Sequence, residues 1–352
     1  MNIAEINTNH IKHNINYFKK VSGTDIMIVL KANAYGHGAI EISKLVRKIG
    51  IKYIGVSSVE EAIILRKNGD RGYILAWLYN INQLNDAFTL NINIAIFNEK
   101  MVPTIINLIK KQSKKVKITI FVDTGLNRTG ISYDKAIEIA ILLNKCTNIV
   151  IDGLMSHLIC SEVKNSPIIY EQLRKFRELR NNLKNIGINP PLIHIANTDA
   201  CINYDVSDFT ISRIGCGIFG IPNRPNKSLK IAMSVISSVI YIKNVKKGDC
   251  ISYDYKYIVP YNMLISIIPI GYADILFNTD FHVYINGTKR KILYIFMDQM
   301  VIKSKISDKL NDKVYIFGDR NNCPQTIYHL GKQFNCLTSL THIGNRVNRV
   351  YV

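Results

Sequence analysis

The sequence predicts an α/β protein in which an N-terminal (β/α)8 barrel is followed by a C-terminal, mainly β domain. Three observations favour this fold class. Short apolar runs alternate with longer stretches of helical spacing over the first two thirds of the chain, and after about residue 225 the pattern changes to strands and turns. The length of 352 residues exceeds one minimal domain and suits a barrel of roughly 250 residues with an appendage.

Eight strands are predicted in the first part of the chain. Their runs are almost continuously apolar, as parallel strands covered by helices are. They lie at residues 26–32, 53–58, 73–78, 92–97, 117–123, 150–157, 192–198 and 211–216. Between them, apolar residues recur at spacings of three and four, as in Ile42, Leu45, Val46 and Ile49, which predicts helices. A doubly wound open sheet is the alternative, but it normally uses fewer strands.

The remainder of the chain has the features of antiparallel strands. Asn286-Gly287 stands between two β-rich runs, which is a strong hairpin signal. The Pro-, Gly- and Asn-rich segment 220–228 predicts a loop between two domains. We therefore assign residues 1–225 to the barrel and residues 226–352 to the β domain.

The charge balance raises the question of an anionic partner. Lys and Arg number 45 against 26 Asp and Glu, a formal net charge of +19, which invites nucleic acid or an anionic membrane surface. However, the positive residues are scattered as short pairs such as Lys110-Lys111, without an aromatic RNA-binding motif or a helix-turn-helix pattern. We therefore expect no nucleic acid and no membrane partner.

The N-terminal residues and the cysteines bear on localisation. The chain shows neither an apolar leader nor an uninterrupted apolar run of about 18 residues. Its seven cysteines are odd in number and lack a CxxC pattern, which indicates reduced thiols rather than a disulfide framework. We expect a cytoplasmic protein, and no metal site is predicted.

Polar side chains gather where the predicted strands end, the place where such barrels carry their catalytic groups. Five of the eight strands present such groups: Lys31 with the loop 34–38, Asp123 with Arg128, His157, the segment 194–198, and Arg213 with Gly215.

Lys31 is the most informative of these residues. A lysine at the end of an apolar strand is either a surface residue or an amine whose desolvation lowers its pKa enough to form a Schiff base. Position alone favours the surface residue. However, hydroxyl and glycine residues after the seventh and eighth strands suit one phosphate, and Arg213 could face a ring nitrogen. The combination favours pyridoxal 5'-phosphate as the cofactor.

Eight motifs in the chain resemble, in order, those of bacterial alanine racemases. They are VLKANAYGHGA (29–39), VDTGLNRTG (122–130), GLMSH (153–157), HIANTDA (194–200), RIGCGIFG (213–220), ISYDYKY (251–257), IPIGYAD (268–274) and MDQ (297–299). The resemblance implies a TIM-like barrel with a β domain and the interconversion of L- and D-alanine by a pyridoxal-phosphate-dependent isomerase. It further implies a supply of D-alanine for peptidoglycan and a homodimer with shared active sites.

The resemblance also implies roles for individual residues. Lys31 matches the lysine that bonds the cofactor and acts as one of two bases at the substrate Cα, and Tyr253 matches the second base, contributed by the other subunit. His157 matches the histidine that hydrogen-bonds this tyrosine. Arg213 matches the arginine that faces the pyridine nitrogen and leaves it unprotonated, which favours racemisation over transamination.

The remaining predicted site residues bind the cofactor or the substrate. The phosphate ligands and their neighbours are Tyr35, Thr198, the amides of Gly215 and Cys216, His194 and Asn197. The groups on the substrate side are Arg128 and the Met297 amide, which hold the carboxylate, and Tyr272 and Asp298, which line the entrance.

Three departures from the family pattern lie on the substrate side. Phe121 replaces a lysine that many members carbamylate to position the substrate-binding arginine, and Phe296 stands where the family often has Cys. Leu337 aligns with the inner-gate tyrosine. These changes predict a weaker grip on carboxylate or phosphate. Leu337 has two interpretations, an altered pocket that admits serine or larger residues, and sequence drift.

Three other functions are weighed against the alanine racemase. The first is a serine or broad-specificity racemase of the same family. The second is a decarboxylase of the same fold, although the decarboxylases' glycine-rich phosphate loop and C-terminal Cys-Asp pair are missing from this sequence. A non-catalytic carrier of pyridoxal phosphate would need neither Tyr253 nor a β domain.

Overall fold

The chain forms two compact units. The computed structural model describes residues 2–276, 281–318, 321–330 and 336–352. The first unit, here called the barrel unit, comprises Lys12–Ala34 and Gly38–Lys230. The second, here called the β unit, comprises Met1–Ile11, Tyr35–His37 and Ile231–Val352.

The strands are, in chain order, β1 (Ile3–Ile6), β2 (Asp25–Val29), β3 (Tyr53–Ser58), β4 (Tyr73–Leu78), β5 (Asn93–Ile96), β6 (Val116–Asp123), β7 (Ile131–Ser132), β8 (Ile149–Met155), β9 (Leu192–His194), β10 (Ile211–Ile214), β11 (Met233–Ser238), β12 (Tyr241–Val245), β13 (Met263–Ile268), β14 (His282–Ile285), β15 (Thr288–Ile295), β16 (Met300–Lys303), β17 (Lys313–Phe317) and β18 (Asn348–Tyr351).

The helices are α1 (Thr8–Ser22), α2 (Lys31–Tyr35), α3 (Ala39–Lys48), α4 (Val59–Lys67), α5 (Leu84–Thr89), α6 (Val102–Lys110), α7 (Ala136–Asn144), α8 (Pro167–Asn185), α9 (Thr198–Asn203), α10 (Ile327–Leu330) and α11 (Cys336–Thr341). Short 3-10 helices lie at Ile81–Gln83, Glu99–Met101, Tyr133–Lys135, Cys216–Phe219 and Tyr253–Tyr255. The segment α2 is a left-handed turn rather than an α-helix.

All eight predicted barrel strands are present, and the predicted fold class is confirmed. They pair in parallel in the order β10-β2-β3-β4-β5-β6-β8-β9. Between β9 and β10, the Thr210 N–H donates to Ile193 O at 3.1 Å and the Arg213 N–H donates to Ala196 O at 3.0 Å. These bonds bring the ring of strands close to closure.

Two predicted strands end three or more residues earlier than expected, each because a local interaction takes over the backbone. The seventh ends at His194 because the Asn197 side chain accepts from the Ala200 N–H at 3.0 Å and caps α9. The first ends at Val29 because the left-handed turn follows it.

The interior of the barrel is packed with apolar side chains. One cluster of buried residues comprises Met27, Leu75, Ala95, Phe121, Met155, Leu192 and Ile211. Phe121 stands opposite Met155 in the register of β6 and β8. The residue that departs from the family pattern is therefore part of the barrel core.

The β unit contains a nine-stranded sheet in the order β12-β13-β16-β15-β14-β17-β11-β1-β18. The hairpin predicted at Asn286-Gly287 is confirmed: both residues have positive φ, 49° and 70°, between β14 and β15. The strand β1 pairs antiparallel with β11 and parallel with β18. The first residues of the chain, expected in the barrel domain, therefore group with the β unit because their backbone bonds lie in its sheet.

The helices in the described ranges are too short or too polar to span a bilayer. The six cysteines described there are free thiols.

An ion pair buried in the β unit provides a test of its stability. Asp308 is 0% exposed and Arg290 is 3% exposed; the Arg290 Nε–H donates to Asp308 Oδ2 at 2.8 Å, and a second bond joins Nη2 to Oδ1. We expect Asp308→Ala to lower the free energy of unfolding by about 3–5 kcal/mol, because it leaves a buried guanidinium uncompensated. Denaturant titration measures this loss.

The matched control is Glu138→Gln, which breaks the exposed pair with Lys135. Such a surface pair contributes at most about 1 kcal/mol. Equal losses in the two variants would contradict the assignment of Asp308 to a buried, stabilising pair.

Candidate active site

Lys31 begins a strained turn at the C-terminal end of β2. The three residues that follow it, Ala32, Asn33 and Ala34, have φ values of 51°, 53° and 55°. Left-handed backbone costs a non-glycine residue roughly 1–2 kcal/mol, and such strain is concentrated at functional sites. Lys31 therefore stands directly before the strained residues.

Hydrogen bonds from within the barrel unit hold this turn. The Ala34 N–H donates to Leu30 O at 2.8 Å. Asn33 accepts twice, at its backbone O from the Gly38 N–H at 2.9 Å and at its Oδ1 from the Ala39 N–H at 2.8 Å. These bonds offset part of the strain, so the conformation is built in by specific partners.

The environment of Lys31 shifts its titration toward the neutral amine. Burial lowers the pKa of Lys31, and the positive charge of Arg128, with a smaller effect of Arg213, lowers it further. Cys216 and Glu61 act in the opposite direction. Because only the neutral amine is a nucleophile or a base, the shift suits covalent chemistry and proton transfer at this position.

Arg213 connects the ends of three neighbouring strands. Its Nη1 donates to His194 Nδ1 at 2.9 Å and to His194 O at 2.8 Å. Its Nη2 donates to Ser156 O at 2.7 Å, to His157 Nδ1 at 3.2 Å and to Ile195 O at 3.2 Å. Five acceptors at or just after the ends of β8 and β9 therefore converge on one residue of β10.

This arrangement sets the charges of the three side chains. Burial and the guanidinium hold the pKa values of His157 and His194 well below the usual range, so both rings stay neutral. Burial lowers the pKa of Arg213 to about 10, so the guanidinium stays positive at neutral pH. The Nε–H of Arg213 forms no hydrogen bond among the residues that the structure describes, which leaves it as a donor for a ligand.

An anion cradle lies at the start of α9. Thr198 Oγ1 accepts from the Gly215 N–H at 3.3 Å and lies 3.8 Å from Cys216 Sγ. Asn197 keeps this segment in place by capping α9 and by accepting from Ser161 Oγ at 2.7 Å. The Thr198 hydroxyl and the Gly215 amide thus meet at the strand ends, and both are groups that can bind a phosphate.

The loop after β6 positions Arg128. The Asp123 carboxylate accepts backbone N–H bonds from Gly125 at 2.8 Å, Leu126 at 2.9 Å and Arg128 at 3.2 Å. The side chain of Arg128 is exposed and makes no hydrogen bond or ion pair within the described ranges. Its charge acts on Lys31, so the loop presents a free guanidinium beside the amine.

Four predicted site residues lie together in the β unit. The ring of Tyr253 packs edge-on against Phe296 with centroids 5.4 Å apart, and the Tyr272 N–H donates to Phe296 O at 3.0 Å. Met297 and Asp298 follow in the same turn, and all four predicted side chains are exposed, Tyr253 by 72%. Phe296 therefore packs against the ring of Tyr253.

Tyr35 also belongs to the β unit. It is buried, and the two residues after it are bound by the C-terminal strand: the Arg349 Nε–H donates to Gly36 O at 3.1 Å, and the Tyr351 hydroxyl donates to His37 O at 2.9 Å. The backbone around Tyr35 is thus held by β18.

Glu61 contacts the site but was not predicted from the sequence; its Oε1 accepts from the Ala32 N–H at 2.6 Å. The signal was present in Ser58-x-x-Glu61, a capping box at the start of α4. That motif predicts a helix terminus, and it contains no information about a residue 29 positions earlier in the chain.

These residues fit pyridoxal phosphate. A half-buried amine suits its aldehyde, the Arg213 Nε–H suits an unprotonated ring nitrogen, and the cradle suits its phosphate. Gly217 supports the cradle, because a Cβ there would lie 2.6 Å from Thr198 Cγ2. The fold, a (β/α)8 barrel followed by a β domain, and the polar residues at its strand ends are those of an enzyme.

Comparison with known proteins identifies the family. Residues 6–223 match the model of the alanine racemase N-terminal domain, and residues 232–351 match that of the alanine racemase C-terminal domain. The chain is 33% identical over 298 residues to an alanine racemase of Borreliella burgdorferi, covering 82% of this chain and 80% of that protein. It is 31% identical over 331 residues to alanine racemase 2 of Caldanaerobacter subterraneus subsp. tengcongensis, covering 90% and 85%.

Solved structures agree with this identification. The alanine racemase of D-cycloserine-producing Streptomyces lavendulae superposes with a TM-score of 0.92 at 26% identity, covering 100% of this chain and 97% of that one. The alanine racemase of Clostridium difficile 630 gives 0.93 at 27% identity, covering 100% and 95%. The chain belongs to the alanine racemase family, and it is a racemase, an enzyme of the isomerase class.

The electrostatics of Lys31 lead to a test. We expect Arg128→Gln to raise the pKa of Lys31, because a neighbouring positive charge that disfavours the ammonium is removed. The measurement is the pH dependence of Lys31 acylation in the cofactor-free protein, followed by mass spectrometry. Arg174→Gln is the control, since Arg174 is exposed on α8 and paired with Glu171 and Glu178. An unchanged or lower pKa in Arg128→Gln would contradict this electrostatic account.

Proposed function

We propose that this chain is an alanine racemase that interconverts L- and D-alanine by a two-base mechanism with pyridoxal 5'-phosphate at the strand ends of the barrel unit. The observation that carries the proposal is the half-buried Lys31 amine, whose pKa is lowered by burial and by Arg128, at the end of β2. Named alanine racemases match both domains of the chain, which does not favour the decarboxylase.

Lys31 is proposed as the base on one side of the substrate Cα. Its neutral amine accepts the proton there or, when protonated, returns one. Racemisation needs a proton removed from one face of the carbon and delivered to the other, so a second group must act opposite the lysine. When bound, the cofactor supplies an electron sink for the negative charge that develops at Cα.

Tyr253 is proposed as that second group, supplied by the partner subunit of a homodimer. Its side chain is 72% exposed, as a residue that serves another copy would be. The neutral ring of His157 is proposed as its hydrogen-bond partner. Such a hydrogen bond would orient the phenol for proton transfer.

The other predicted residues hold the ligands. Arg213, positive and with an Nε–H that makes no hydrogen bond among the described residues, would hold the ring nitrogen of the cofactor as a donor, a contact that favours racemisation over transamination. Arg128 pairs with the substrate carboxylate, assisted by the Met297 amide. The remaining proposed ligands are Tyr35, Asn197, Thr198, Gly215 and Cys216 for the cofactor, and Tyr272 and Asp298 at the entrance.

We place this reaction in the cytoplasm, where it supplies D-alanine for peptidoglycan. The C. difficile 630 alanine racemase, also solved in complex with cycloserine, aligns with 100% of this chain at 27% identity and a TM-score of 0.90. An amino-acid-sized ligand at the same site is part of the proposal.

The central experiment incubates the purified protein with L-alanine and pyridoxal phosphate and separates the enantiomers by chiral chromatography. We expect D-alanine to form, and Lys31→Ala to form none above background. Formation of D-alanine by Lys31→Ala at the wild-type rate would overturn the role of the lysine. The same assay compares kcat/KM for alanine, serine and lysine, and a strong preference for alanine would remove the altered-pocket interpretation of Leu337.

Subunit complementation tests the shared site. Lys31→Ala and Tyr253→Phe should each be inactive alone, whereas a mixture should recover part of the activity, because one mixed site combines an intact Lys31 with an intact Tyr253. Exchange is verified with differently tagged subunits. If exchange occurs and activity does not return, Tyr253 does not serve the partner's site.

A further inference from the structure

We propose that Glu61 is a positioning residue for Lys31 and acts by holding the strained turn that the lysine begins. This inference deepens the proposed function and rests on Lys31 being the lysine that bonds the cofactor. Glu61 touches neither ligand in this role; it acts through the backbone of the next residue, Ala32.

Glu61 makes a direct contact with the strained turn. Glu61 Oε1 accepts from the Ala32 N–H at 2.6 Å. Ala32 is the first left-handed residue after the lysine, with φ 51° and ψ 52°. A non-glycine residue occupies this region only when its surroundings over-determine it. The carboxylate therefore restrains the backbone at the residue where the strain begins.

The carboxylate of Glu61 is itself held in place by hydrogen bonds. Its other oxygen, Oε2, accepts from the Ser57 N–H at 2.8 Å and from Ser57 Oγ at 2.6 Å, with a longer bond from the Ser58 N–H at 3.4 Å. The Glu61 N–H donates to Ser58 Oγ at 3.3 Å. The backbone N–H and the carboxylate Oε2 of Glu61 are thus both bonded at the junction of β3 and α4. The other oxygen, Oε1, joins this junction to the turn after β2.

Glu61 differs from an ordinary helix-capping residue. In a capping box the glutamate side chain bonds the N-cap backbone, and Oε2 does so here. The bond from Oε1 to Ala32 leaves the helix altogether and is superfluous for capping. In addition, Glu61 opposes the lowering of the Lys31 pKa by burial and by Arg128, so its charge acts on the amine.

The adjacent residue offers a matched control. Glu60 lies in the same first turn of α4 and carries the same charge, but it is exposed and its side chain bonds Gln83. Replacing Glu60 changes the helix dipole and the net charge as much as replacing Glu61 does. Only Glu61 is bonded to the turn.

The test uses the cofactor-free full-length protein and measures how fast pyridoxal phosphate becomes attached to Lys31. The bond is trapped with borohydride and located by mass spectrometry. The measurement is made at a pH above the Lys31 pKa of every variant, so that only position differs. We expect Glu61→Ala and Glu61→Asp to slow attachment roughly tenfold or more, as loss of a charged hydrogen bond would.

Glu61→Gln should recover only part of the rate lost in Glu61→Ala, because its single amide oxygen can accept from Ala32 or from Ser57 and Ser58 but not from both. Its Lys31 pKa should fall below the wild-type value because the negative charge is gone. Glu60→Ala and Glu60→Gln should match the wild type in both respects. Glu61→Asp keeps an acidic residue in the first helical turn, so it carries the test if Glu61→Ala does not fold.

Two results would overturn the inference: attachment at the wild-type rate in Glu61→Asp, or equal slowing in the Glu60 variants. Either would reduce Glu61 to a helix cap. Failure of the proposed function is separately visible, since attachment of the cofactor in Lys31→Ala at another residue, at the wild-type rate, would remove the lysine's role whatever the Glu61 variants do.

Discussion

The barrel unit's site depends on a guanidinium taken out of water. A buried charge is tolerated when hydrogen bonds compensate it, and the Nη1 and Nη2 groups of Arg213 meet this condition by bonding three carbonyls and two imidazoles at or just after the ends of β8 and β9. Those bonds require Nδ1 of His157 and His194 to be unprotonated, so one residue fixes the tautomers of two others. The ends of three strands are thereby held in register before any ligand arrives.

The same positive charge also acts on Lys31. Arg213 and Arg128 both disfavour an ammonium on Lys31, whereas Glu61 and Cys216 favour it. Negative neighbours raise the pKa of an amine and positive neighbours lower it, so the two sets act against each other. Burial and the positive set prevail, and the net shift of the Lys31 pKa is toward the neutral amine.

Much of this fold could be predicted from the sequence because buried parallel strands are continuous apolar runs. Strand ends were less predictable, because a side-chain cap at Asn197 shortens one strand. The segment KANAY does not predict left-handed backbone, since neither Ala nor Tyr favours it. The strand β1 was missed because it has only four residues and its partners lie more than 200 positions away. The site lysine, arginines and cradle followed from motifs, whereas Glu61 was concealed within a local capping signal.

The pairing of β1 has a consequence for the order in which the molecule is built. During synthesis, Ile3–Ile6 emerges well before its antiparallel neighbour β11 (Met233–Ser238) and its parallel neighbour β18 (Asn348–Tyr351). Contacts of such wide sequence separation form slowly. The strand β1 therefore stays unpaired until its neighbours have been made, and until then its two open edges can pair with another molecule.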